Sequence, residues 1–169
     1  ERVILAREMS LARIAALHRE VGDSIQLETF VHGASCVAWS GRCLLSAALT
    51  GRSGNQGACA QPCRWEYAVM EKKRPGEYLP VSEDLNGTYI FSAKDLNLMP
   101  LLPELVQAGV ASLKIEGRMK TEYYVATVVA TYRRALDLLA RDEQAFRAAL
   151  PQFLQELECA SHRDSDMGF

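Results

Sequence analysis

The sequence predicts an α/β protein with parallel strands and a small β insertion, on three observations. The first third alternates strand, helix and strand; the stretch from Ser112 leads from a short strand into a long amphipathic helix; and a Gly- and Pro-punctuated middle carries short strand signals. With 169 residues there is enough chain for one ordinary domain and a real core. The formal net charge of -2 offers no global positive field for nucleic acid.

Val3 to Ala6 is an apolar, β-branched run that reads as a buried strand. Ser10 then suits a helix N-cap, Leu11, Ile14, Ala15 and His18 follow at helical spacing, and Gly22 supplies the stop. Residues 25–31 set Ile25, Leu27, Thr29 and Val31 against Gln26, Glu28 and Phe30, the alternation of a strand. A short helix is expected over 43–49, a loop over 51–58, and a strand over 65–70. Two further short strands, 78–81 and 88–91, are joined by an Asn-Gly turn signal, so 65–92 reads as a small β insertion.

Pro100 and Pro103 fit a helix start, and Leu101, Leu105, Val106 and Gly109 carry that helix to its end. Ser112 to Ile115 is a strand running into EGRMK. The longest helical pattern spans 121–141, with Tyr124, Val125, Val128, Val129, Tyr132, Leu136 and Leu139 on one broad face. The opening strand with no preceding turn, and the abrupt end, read as a segment of a longer protein, which alone would be prone to self-association through its strand edge. There is no export signal or membrane-length apolar run, so the expected location is cytoplasmic.

Four of the five cysteines cluster as Cys36, Cys43, Cys59 and Cys63, spaced C-x6-C-x15-C-x3-C. Thiolates are soft ligands, and four of them suit a tetrahedral Zn or an iron-sulfur cluster. The wide C-x6-C gap is unlike a zinc knuckle and tilts the choice toward a cluster, with buried free thiols as the bland alternative. Cys159 stands apart in a helical stretch and reads as a core residue. Arg42, Arg52 and Arg64 interleave with the cysteines and with Trp39 and Trp65, a mixture that suits phosphate and stacked bases or the charge of a thiolate-bound cluster.

Lys114, Glu116, Arg118 and Lys120 follow a strand end, where α/β folds bind ligands. Alternation puts Lys114 and Glu116 on one strand face, either as an ion pair or pointing together into a site, and Gly117-Arg118 suits an anion-gripping corner. Glu28 and His32, just before Cys36, are candidate catalytic groups, with turn capping and core packing as their plain structural alternatives.

The stretch ETFVHGASCVAWSGRCLLS resembles the signature of peptidase family U-32, the collagenase-like proteins, with Glu28, Phe30, Gly33, Ala34, Cys36, Gly41, Cys43, Leu45 and Ser46 matching and Ser35 departing from an aliphatic position. The resemblance runs on to about Ala135 and is nearest the branch that hydroxylates the wobble uridine of tRNA in a prephenate-dependent way. It implies a TIM-barrel-like α/β fold, of which this chain would be a partial (βα) segment carrying later strands. It also implies a 4Fe-4S cluster on Cys36, Cys43 and Cys59, with Cys63 fourth by analogy. Expected partners are tRNA and prephenate, and Lys114, Glu116 and Arg118 would line the substrate or prephenate pocket, Arg pairing bidentately with a carboxylate. A peptidase with structural or zinc-binding cysteines and a non-catalytic RNA-binding module are the alternatives. No Ser-His-Asp, Cys-His or HExxH arrangement with a clear role is legible.

Overall fold

A computed structural model describes residues 1–36, 38–65, 67–80, 94–160 and 165–167. They group into two compact units, Glu1–Ser35 with Lys94–Phe169, and Cys36–Ala93.

In the first unit, β1 (Arg2–Ile4) lies parallel to β2 (Gln26–Ala34), and α1 (Leu11–Val21) crosses between them. Ser10 caps α1, its hydroxyl accepting from the Arg13 N–H, and the Gly22 N–H closes the other end on the His18 carbonyl. Ile14 is the buried residue of this helix and packs with Leu5, Leu27 and Ala108. The opening strand is shorter than its apolar run suggests, and Val3 and Ile4 are about half exposed, because the pairing reaches only as far as Ile4 on a sheet edge.

After β5 (Asp95–Asn97), a 3-10 turn at Met99–Leu101 leads into α3 (Leu102–Gln107) and β6 (Val110–Glu116). β6 lies parallel to β2, in a register that shifts between Leu27 and Glu28 and again between Phe30 and His32. The helix 122–141 is α4 (Glu122–Arg141), capped by Thr121, and α5 (Glu143–Glu158) follows on the Asp142 side chain, which accepts from the Gln144 and Ala145 N–H groups. A short β7 (Ser165–Asp166) completes the sheet. Between the sheet and α3, α4 and α5 lies the main core, built on Val31, Met99, Leu102, Tyr124, Val128, Tyr132, Phe146 and Leu157. Val125 and Val129 stand outside it, so the buried stripe of α4 is narrower than the apolar pattern. No described helix is long and apolar enough to cross a membrane.

The fold is therefore mixed α/β. Its strands are not all parallel, because β5 pairs antiparallel to the end of β2 and parallel to β7, and the sheet is not closed among the described residues. β5 escapes sequence reading because Asp95-Leu96-Asn97 is short and carries Asp and Asn, both poor strand formers. It holds its place through Leu96 and Asp95, both buried.

In the second unit, α2 (Leu45–Thr50) is the short helix expected over 43–49, shifted two residues later at its start. β3 (Ala68–Met70) pairs antiparallel with β4 (Tyr78–Pro80) across the charged turn between them. The first of the two joined strands expected from the Asn-Gly signal thus pairs backward; the second, 88–91, and the signal itself lie outside the described residues.

Candidate functional site

Residues that carry chemistry lie in both units. In the second unit the backbone around the cysteines is fixed by polar contacts. The Ser46 hydroxyl accepts from the buried Ala60 N–H at 3.0 Å, Asn55 donates to the Gly41 carbonyl at 3.2 Å, and Tyr67 donates to the Pro62 carbonyl at 2.8 Å. Ser46 thus pins the segment between Cys59 and Cys63. Gln61 is held in the left-handed region (φ 56°), and its N–H donates to Cys59 Sγ at 3.3 Å. Such bonds to sulfur tune a metal-bound thiolate.

All four clustered cysteines are half-buried, and none of them forms a disulfide. Burial pushes the Cys63 thiol above the ordinary range; Arg64 opposes this, and Cys36, Cys59 and Cys43 each add a smaller upward push. Cys63 therefore feels the charge of the other three, although among the described residues no three His, Cys, Asp or Glu side chains stand close enough to hold a metal ion. As a donor set, four soft thiols with a backbone N–H on one sulfur suit a 4Fe-4S cluster or Zn. Trp39 and Trp65 are both exposed beside them. Cys159 is exposed too, a correction to its reading as core: it caps α5 at the surface, where its thiol reaches the Gln155 carbonyl.

In the first unit, Glu28 is nearly buried and gathers partners from both neighbouring strands. Ser112 Oγ donates to it at 2.7 Å, Arg2 lies at 3.5 Å, and Lys114 Nζ at 3.8 Å. Its contacts are with side chains of the sheet rather than a backbone turn. Phe30 is flanked by Arg7 at 3.9 Å and Lys114 at 5.2 Å from its ring centre. Lys114 is thus engaged with Glu28, while Glu116 turns to Arg118, accepting its N–H at 2.8 Å and lying 4.0 Å from its guanidinium. Glu116 is buried and fixes the corner at which Arg118 is half-exposed.

His32 is buried in a different cluster. The Tyr132 hydroxyl donates to the Val31 carbonyl at 2.9 Å and lies 3.4 Å from His32 Nδ1 and from Asn97 Oδ1. Burial, then the neighbouring Tyr124, push the Tyr132 hydroxyl far above its ordinary range, so it stays a donor. Asp95, also buried, pairs with Lys120 at 3.6 Å, and Lys120 in turn sits over the Tyr124 ring. His32, Asp95, Asn97 and Glu158 supply polar lining to a cavity of about 300 Å³, and Leu154 and Leu157 supply apolar lining.

The structure therefore separates Glu28 from His32 by their partners, although both lie on β2. It also brings in Asp95, Asn97, Tyr124 and Tyr132, which sequence reasoning passed over as sites. Asp95 and Asn97 carry no local signal, and the tyrosines read in the sequence only as part of an apolar stripe.

The profile of peptidase family U32 matches residues 1–169. The chain belongs to peptidase family U32. It is 40% identical over its whole length to the tRNA hydroxylation protein P1 of Bacillus subtilis, of which it covers 39%. It is 40% identical over 140 residues to the 23S rRNA 5-hydroxycytidine synthase of Escherichia coli, matching 83% of this chain and 20% of that protein. It is also 36% identical over 155 residues to the collagenase of Porphyromonas gingivalis, with 85% and 36% covered. The chain thus spans less than half the length of these U32 relatives, and no solved structure matches it.

Proposed function

We propose that this U32 chain is part of an RNA hydroxylase acting on tRNA, in which Cys36, Cys43, Cys59 and Cys63 hold a 4Fe-4S cluster. The observation that carries the reading is the quartet of half-buried thiols outside any disulfide, anchored through Ser46 and Gln61, in a chain 40% identical to a tRNA hydroxylation protein. A bound cluster would supply one-electron redox chemistry. Arg64 would offset part of its negative charge, and the exposed Trp39 and Trp65 offer rings on which bases stack. Arg118, held at its corner by Glu116, is the side chain suited to a prephenate carboxylate. A cytoplasmic location, alongside tRNA, and completion of the open sheet into a TIM-like barrel by other parts of a longer protein belong to the same reading.

The test is made on the full-length protein purified without oxygen, together with nucleoside mass spectrometry of tRNA from a deletion strain. Broad visible absorption with stoichiometric iron and sulfide, lost in Cys36→Ser, and loss of the hydroxylated nucleoside in the strain are the expected results. A colourless protein with stoichiometric zinc, or unchanged tRNA, would overturn the respective halves. The similarity to a collagenase favours peptide hydrolysis as a second reading. It would be supported by gelatin cleavage that survives loss of iron. Normal tRNA from the deletion strain, with tRNA still bound by the purified protein, would instead indicate a non-catalytic RNA-binding module.

A further inference from the structure

The cavity beside His32 has a chemistry that the cysteine cluster and the Arg118 corner do not share. Its polar lining contains two carboxylates, Asp95 and Glu158, the Asn97 amide, the Ser165 hydroxyl and His32. The nearby cation, Lys120, is already 3.6 Å from Asp95. Such a lining repels a di-anion by charge and by the cost of stripping water from it. It accommodates a neutral ligand that both donates and accepts hydrogen bonds. Asn97 Oδ1 is occupied, accepting the Met99 N–H at 3.1 Å and lying 3.4 Å from the Tyr132 hydroxyl, and this turns the amide orientation into a fixed one. Its NH2 is then the donor end, and the Glu158 carboxylate is an acceptor for a ligand N–H. The remaining lining, Pro100, Leu154, Leu157 and Met167, is apolar and suits the faces of a ring. At about 300 Å³ the cavity is at the small end of ligand sites, too small for a folded RNA element. It also lies at the C-terminal end of β2, the end of an α/β sheet on which ligands gather.

We infer that this cavity receives a single, uncharged pyrimidine base of an RNA strand, with its ring against the apolar lining and its edge read by Asn97 and Glu158. The inference rests on the RNA reading above. A base enters such a pocket only when unstacked, as in single-stranded or extruded nucleotides. It follows that an anionic co-substrate binds elsewhere.

The experiment titrates the full chain with uridine, with the anionic pyrimidine orotate, and with the trinucleotide UUU, by calorimetry and by chemical-shift changes. Uridine is expected to bind, UUU at least as tightly, and orotate at least tenfold more weakly; Glu158→Gln is expected to narrow the uridine-to-orotate ratio. Asn97→Asp, which keeps the shape and removes the NH2 donor, should weaken uridine about tenfold while circular dichroism stays unchanged. Equal binding of orotate and uridine, or no uridine binding by a folded chain at millimolar concentration, would overturn the pocket. Uridine binding with UUU excluded would assign it to free nucleosides and overturn the RNA source. These outcomes are separable from the function itself: a strain that loses tRNA hydroxylation beside a chain that ignores uridine sinks the pocket alone, and the converse sinks only the hydroxylase reading.

Discussion

Gly33 in β2 lies directly against the backbone carbonyl of Glu116 in β6, so that a Cβ at position 33 would overlap that oxygen. Its φ of 101° is also one that side-chain-bearing residues rarely adopt. The contact lets the two strands close up just after the register shift at Phe30 and His32, and it carries Glu116 to the corner that holds Arg118. Gly33→Ala therefore combines backbone strain with overpacking and is expected to cost about 3 kcal/mol or more, read as a lower urea midpoint with an unchanged slope.

Lys120 faces a carboxylate, Asp95, that is almost fully buried. Removing the cation takes away the opposite charge 3.6 Å from that carboxylate, whereas keeping it on a different side chain does not. Lys120→Met is expected to destabilise the fold by about 2 kcal/mol and Lys120→Arg by much less. Denaturant unfolding of the two variants at neutral pH checks the difference.

Arg134 of α4 binds Glu156 of α5, and Thr131 also donates to that carboxylate. The Arg134 hydrogen bond holds the Glu156 carboxyl below its usual range. Because the folded value is the lower one, the stabilisation is present above the unfolded value of about 4.3 and is lost as pH falls through the folded value. The pair is largely solvated, so its worth is about 0.5 kcal/mol. Melting temperatures of the native chain and Glu156→Gln should differ at neutral pH and converge as the solution becomes acid.

Cys63 has its thiol pushed up by burial and pulled down by Arg64. In the reduced, ion-free chain its alkylation by iodoacetamide at neutral pH is expected to be slower than that of a free cysteine, and slower again in Arg64→Gln, because the thiolate is the reacting form. Mass spectrometry of the labelled peptide reads both rates. Faster labelling of Cys63 than of free cysteine would contradict the burial argument.

Much of the first unit was legible because its signals are local. Ser10, Gly22 and Thr121 set helix ends by bonds within a few residues, and the alternation of Leu27, Thr29 and Val31 marks a face that the core then buries. Glu28 and Lys114 were visible as charges on strands. Their pairing was not, since they lie 86 positions apart and meet only because β2 and β6 are neighbours.

Residue type and short-range order already carry the α/β alternation, the helix caps, the four-thiol spacing and the family signature. That Asp95–Asn97 is an antiparallel strand, that His32 sits against Tyr132 rather than beside Glu28, and that Cys159 is a surface residue emerges only in the packed chain. Each of these depends on which distant segments are packed together. A three-residue strand with no propensity of its own exists because β2 and β7 complete its hydrogen bonds, and no local pattern records that.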